Sequence, residues 1–203
     1  RGTGYIREIF LNNDGSGFTS PPVVSISTSP NGSSIANATA VAITTTRANV
    51  TSVEKILMTN AGFGYNTTPI ITISGGGGSG AAATCSIETA SQGIVRFNMT
   101  DNGVGFGTVP IVTISNPAGG IASDRAVGIA SIGEAGAFKQ VNSIFIENAG
   151  KGYTTNPTVT INDPETISGI GTYQFNEIVQ GMRSGTQARV KSWDQDTAIL
   201  LVS

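Results

Sequence analysis

Apolar and polar residues alternate with a period of two over short stretches throughout the chain, the spacing of half-buried strands rather than of helices. One set of stretches, IREIFLN, VEKILMTN, GIVRFNMT and NSIFIEN, places Ile9 and Leu11, Ile56 and Met58, Phe97 and Met99, and Ile144 and Ile146 in corresponding positions. A second set, VVSIS, IITIS, IVTIS and TVTIN, puts apolar residues second and fourth with Ser or Thr between them. A third is built from small residues: IANATAVAI, AAATCSIE and RAVGIASI. No window supplies the run of strong helix formers, with apolar residues three and four apart, that a long helix needs. The pattern predicts an all-β fold.

The stretches recur in a fixed order around one motif. NDGSGFTSPPVVSIS starts at Asn13, NAGFGYNTTPIITIS at Asn60, DNGVGFGTVPIVTIS at Asp101 and NAGKGYTTNPTVTIN at Asn148. Their aromatic residues, Phe18, Tyr65, Phe106 and Tyr153, are separated by 47, 41 and 47 positions. Such spacing marks repeated supersecondary units. Each unit reads as three strands: an alternating strand, a Gly-aromatic turn into a Pro-led strand, then a variable loop into a small-residue strand. The expected architecture is a tandem of three-stranded units, stacked as a solenoid, a prism or a sandwich.

Each fixed position has a physical reason. The glycine pairs are Gly15 and Gly17, Gly62 and Gly64, Gly103 and Gly105, and Gly150 and Gly152. They permit positive φ or close backbone approach, and the leading Asn or Asp can cap the turn through its side chain. Pro22, Pro69, Pro110 and Pro157 stand at strand entry, where a missing N–H costs no ladder bond.

After Asn162 the small-residue strand expected to follow the fourth motif is replaced by YQFNEIVQGMRSGTQARVKSWDQDTAILLVS. This divides the chain into a repeat region, 1–163, and a small C-terminal β module, 164–203. The module's strands are FNEIVQG, QARVKSWD and TAILLVS, with turns at 183–186 and 194–196 and Trp193 as anchor. Gly2-Thr3-Gly4-Tyr5 looks like the end of a preceding turn, and the last strand stops without closure, which reads as a fragment.

Composition narrows the chemistry. Among 203 residues there are 27 Gly, no His and one Cys, with a net charge of −2. Absence of His removes the commonest general base and transition-metal ligand. With 11 basic and 13 acidic residues scattered along the chain, no footprint for a phosphate backbone is present, so nucleic acid is not an expected partner. No apolar run approaches the roughly 20 residues of a spanning helix, so membrane insertion is not expected either. Cys85, in AAATCSIE, has the setting of a small buried strand residue.

Four candidate sites compete with plainer readings. The loop GGGGSG at Gly75–Gly80 could cradle an anion, but it enters an apolar strand rather than a helix with Lys-Ser or Lys-Thr. Asn13 and Asp14, Asp101 and Asn102, and Asn162 and Asp163 offer oxygens for calcium, yet only some copies of the motif carry a carboxylate, and Asn and Asp are favoured in turns regardless. Phe18, Tyr65, Phe106 and Tyr153 would be glycan-stacking platforms if exposed and turn plugs if buried. Paired carboxylates for glycoside hydrolysis have no recurring context. No catalytic, cofactor-binding or metal residue is assigned.

The four motifs resemble repeats in virion structural proteins of marine contractile-tailed bacteriophages, particularly cyanophages, and the ending is similar to a short β module that follows such repeats. The resemblance implies a non-enzymatic tail, baseplate or fibre component located in the virion, with other virion proteins or further copies of itself as partners. Homotrimerisation, as in fibres, would cover its edge strands. The alternatives are an adhesin module recognising a host-surface glycan or receptor and, behind it, a polysaccharide-degrading enzyme.

Overall fold

A computed structural model describes residues 3–28, 36–135, 138–163, 173–180, 185–194 and 199–203. The chain is all-β, with one short 3-10 turn at Ala122–Asp124 and no α-helix among the described residues. It divides into two compact units, Arg1–Asp163 and Pro164–Ser203.

In the first unit the strands are β1 (Tyr5–Ser16), β2 (Val23–Ile26), β3 (Thr39–Arg47), β4 (Val50–Asn60), β5 (Ile71–Ser74), β6 (Ser79–Glu88), β7 (Val112–Ile114), β8 (Val127–Ala135), β9 (Phe138–Asn148) and β10 (Val159–Ile161). All pairings are antiparallel. The main sheet runs β3-β4-β9-β1-β6, with β8 also on β9. The Pro-led strands form separate two-stranded ribbons, β2 with β5 and β7 with β10. Their apolar positions face inward, as Val24 and Ile73 do in one ribbon and Val112 and Ile161 in the other, while Ser25, Thr72, Thr113 and Thr160 are exposed.

The spatial repeat is therefore a pair of motifs, not one. Motifs one and two share a ribbon, motifs three and four share the other, and the two halves correspond residue by residue at an offset of 88 positions, the separation of Tyr65 and Tyr153. Ser27 N donates to Ile70 O at 2.9 Å and Ser115 N to Thr158 O at 2.9 Å. Phe63 N donates to Ala36 O, and Lys151 N to Asp124 O, both at 2.9 Å. The halves also interlock: Ile6 N donates to Ala61 O (3.0 Å), Ala61 N to Val95 O (2.8 Å), Ile94 N to Ala149 O (2.8 Å) and Ala149 N to Arg7 O (2.8 Å). Each of these bonds has its counterpart, so the arrangement is an approximate two-fold.

The apolar core follows the same symmetry. Tyr5, Ile6, Met58, Tyr65, Ile114, Ile146 and Tyr153 form the shared cluster. On one side of it Phe18, Ala42, Val53 and Ile56 pack together, and on the other Phe106, Ala130, Val141 and Ile144 do the same at the offset positions. Burial of these rings and branched chains away from water is the main stabilising contribution.

One sequence expectation fails here. GIVRFNMT, residues 93–100, is the counterpart of β1, and its alternation predicts a strand, yet it forms no ladder. Its side chains still alternate, with Phe97 and Met99 half-buried and Arg96, Asn98 and Thr100 exposed. β1 owes its ladder to β6, which pairs along it from Tyr5 to Ser16. Among the described residues, 96–101 have no such neighbour and no backbone hydrogen bond.

The second unit is an antiparallel meander of β11 (Ile178–Gln180), β12 (Gln187–Asp194) and β13 (Ile199–Val202). Val190 is its fully buried residue, and Trp193 is half-buried with its ring edge-on to Tyr173, centroids 5.1 Å apart. The expected turns at 183–186 and 194–196 lie largely outside the described residues.

Candidate functional site

Four turns and one groove hold the features on which a function can rest. In each turn the leading side chain accepts the amide two residues on: Asn13 Oδ1 from Gly15 at 2.9 Å, and Asn60, Asp101 and Asn148 from Gly62, Gly103 and Gly150 at 2.8 Å.

All eight glycines of the motif have positive φ, and the two positions of each pair differ. The first glycine sits at 62° in Gly15, 68° in Gly62, 57° in Gly103 and 66° in Gly150. The second is wider, at 78° in Gly17, 103° in Gly64, 93° in Gly105 and 81° in Gly152. Side chains rarely adopt that backbone, so the sequence pattern is a direct consequence of the turn. Close approach, the other reason for glycine, applies unevenly. A Cβ on Gly150 would lie 2.6 Å from Ala126 N, whereas on Gly152 the nearest atom would be Pro117 Cβ at 3.7 Å. Gly152 is therefore required for its φ rather than for lack of space. The second glycine's amide also varies in partner: Gly64 donates to Gly4 O at 2.8 Å and Gly105 to Lys139 O at 2.9 Å, but Gly152 donates to Ser91 Oγ at 3.2 Å.

The four motif aromatics are buried, with relative exposures of 4% for Phe18, 0% for Tyr65, 6% for Phe106 and 6% for Tyr153. They plug the turns and offer no stacking face. The tyrosine copies do more. Tyr65 Oη accepts the amide of Ala38 at 3.0 Å, and Tyr153 Oη accepts that of Ala126 at 2.9 Å while donating to Ser115 O at 3.0 Å. Each hydroxyl thus satisfies a buried backbone group at the start of a small-residue strand, which sequence alone did not reveal. Phe18 has a different neighbour: a Cβ on Gly78 would lie 2.6 Å from its Cγ, so the GGGGSG loop is shaped around that ring. Gly76 O in the same loop accepts the Thr19 amide at 2.7 Å. The loop is thereby packed as a specific connection between β5 and β6.

Pro22 and Pro69 are buried, Pro110 and Pro157 half-buried, and each precedes its ribbon strand by one or two residues. Cys85 is buried on β6, its Sγ 3.6 Å from Pro69 O, and burial pushes its thiol up to about 11. Of the oxygens considered for calcium, Asn13 Oδ1 and Asp101 Oδ1 serve as turn acceptors, and no cluster of three acidic, His or Cys residues occurs among the described residues.

The groove lies along residues 92–101. Its volume is about 610 Å³, and Phe97, Met99, Ile144, Ile161 and Tyr153 to Pro157 are among the residues that line it. Among the described residues of its lining, Asp101 is the one carboxylate. Sequence reasoning did not find it, and the stretch after the fourth motif, where the sequence departs from the repeat, lies largely outside the described residues.

Comparison of the chain with protein-family models, with curated proteins and with solved structures gives no match.

Proposed function

We propose that this chain is a non-enzymatic structural module of a bacteriophage virion, part of a tail, baseplate or fibre. The observation that carries the reading is that all four repeated aromatics are buried, each beside a turn closed by an Asn or Asp side chain. The elements the sequence repeats are spent on rigidity, and rigidity is what a load-carrying particle component requires. The interlocking of the two halves supports the same reading. β3 and β6, at the ends of the main sheet, are natural sites for contact with other virion proteins or further copies, a homotrimer among them.

One observation favours the adhesin alternative: the groove carries exposed Asn98, Asn156 and Asp101 around a concave surface. The test has two arms. Antibodies raised against the purified chain should decorate assembled particles, and a glycan array should show no specific binding. Absence of label on particles, together with glycan binding lost in a folded Asn98→Ala/Asn156→Ala variant, would replace the structural reading with the adhesin one.

A further inference from the structure

The four turns share a capping side chain and a first glycine, and the residue between them differs: Asp14, Ala61, Asn102 and Ala149. Of the four, the third turn alone holds an Asn directly before a Gly, at Asn102 and Gly103. That pair carries its own chemistry. The backbone nitrogen of Gly103 can attack Cγ of Asn102, closing a cyclic imide and expelling ammonia, and glycine puts no Cβ in the way. Water then opens the imide on either side, leaving aspartate or isoaspartate. Asn102 is half-buried and, among the described residues, its side-chain amide has no hydrogen-bond partner that would hold it away from the ring-closing nitrogen. The nitrogen itself is held. The Gly103 amide donates to Asp101 Oδ1 at 2.8 Å, and Asn102 O, at the other end of the same peptide unit, accepts from Val141 N at 3.1 Å. Attack requires that amide to give up its proton and turn toward Cγ, and both bonds oppose the movement.

We infer that Asn102 is a site of spontaneous deamidation gated by its own turn: water converts it to aspartate or isoaspartate when the hydrogen bond from Gly103 to Asp101 opens, and it is spared while that bond is closed. The step balances with water alone. The Gly103 N–H proton leaves to solvent base, the bond from Cγ to the side-chain nitrogen breaks as the bond to Gly103 N forms, and hydrolysis of the imide restores a peptide bond and a carboxylate. The two products differ in what they do to the fold. Aspartate at 102 is the residue that the two-fold counterpart, Asp14, carries natively, so the turn accommodates it. Isoaspartate adds a methylene to the main chain between Asp101 and Gly103, so the bond from Gly103 to Asp101 Oδ1 is lost and the buried Phe106 loses its anchored turn. Independently of any structural role in a particle, the third turn thus carries an ageing site that the two alanine turns lack.

The full chain, incubated in mild alkali and then digested with trypsin, reports on the site through the peptide Phe97–Arg125. Mass spectrometry should show aspartate and isoaspartate forming at Asn102, at least about tenfold more slowly in the folded chain than in the same peptide free in solution. Asp101→Ala removes the capping oxygen and should raise the folded rate at least about fivefold. Asp101→Asn restores the cap that Asn13, Asn60 and Asn148 provide in the other turns, and should stay within about twofold of the native rate. Free peptides carrying each substitution supply the intrinsic rates. A folded rate equal to that of the free peptide would overturn the gate, as would Asp101→Ala reacting no faster than the native chain or Asp101→Asn reacting as fast as Asp101→Ala. Should Asp101→Ala fail to fold, the native chain decides: in urea below the unfolding transition, deamidation should accelerate in proportion to hydrogen exchange at the Gly103 amide, and a rate indifferent to that exchange would overturn the proposal equally.

Discussion

The ring of Tyr5 fills the space that a side chain on Gly93 would need. A Cβ on Gly93 would lie 2.5 Å from Tyr5 Cε2 and 2.7 Å from its hydroxyl, and the two residues are each other's counterparts at the offset of 88. The approximate two-fold is thus broken at its centre by one large residue opposite none, and the Tyr5 hydroxyl reaches across to donate to Gly150 O at 2.7 Å. Gly93→Ala should cost about 1 to 3 kcal/mol by overpacking. Because Gly93 does not have positive φ, Tyr5→Leu in the same chain should recover part of that loss; urea unfolding of the single and double variants checks it.

Removing the phenolic hydroxyls separates the two kinds of motif. Tyr65→Phe leaves the buried amide of Ala38 unpaired and Tyr153→Phe that of Ala126, so each should destabilise by about 1 to 3 kcal/mol although Phe is the native residue in the other two copies. Thermal melts of both variants measure the effect.

Two glycines with similar φ should respond differently to alanine. At Gly17, φ is 78° and the nearest atom to an added Cβ is 3.9 Å away, so Gly17→Ala carries only backbone strain, about 1 kcal/mol. At Gly62, φ is 68° and the added Cβ would meet Ala38 N and Tyr65 Cε2 at 2.7 Å, so Gly62→Ala adds a clash and should cost about 2 to 4 kcal/mol. Urea midpoints of the two variants rank them.

Stability should fall in alkali. Burial pushes Cys85 from 9.0 up to about 11, and Tyr5 is pushed up by burial and then by the charge of Glu88. Both groups hold their protons more tightly folded than unfolded, so the unfolded chain loses protons first as pH rises and gains the advantage. The urea midpoint should be flat up to about pH 8.5 and decline from pH 9 to 11, with about 1 to 3 kcal/mol from Cys85. Cys85→Ala should flatten the first part of the decline, and the native thiol should react with a disulfide reagent only as the chain unfolds.

Local structure was largely legible in the sequence. The Asn or Asp, the paired glycines and the proline state their turn and strand entry because each answers a local backbone demand, and Ser25 or Thr113 between apolar neighbours states which face is wet. Pairing over long distances was not. That Ala61 bonds both Ile6 and Val95 depends on segments more than thirty residues apart in sequence, and period-two alternation in GIVRFNMT cannot reveal whether a neighbour lies beside it. The same holds for Gly105 and Gly152: their positive φ was readable from the motif, but not that one amide would find the carbonyl of Lys139 and the other the hydroxyl of Ser91. That β6 pairs with β1 rather than with a strand of its own motif was equally hidden. The tyrosine hydroxyls were missed for the same reason, their partners lying 27 positions away.

Hydrogen exchange of the isolated chain, comparing β1 with its counterpart at 93–100, tests the central claim of a two-fold scaffold in which one of two corresponding segments is laddered and the other is not. The account predicts slow exchange for ladder amides between Glu8 and Asn13 and exchange at least about tenfold faster between Arg96 and Asp101. Equal protection of the two segments would contradict it.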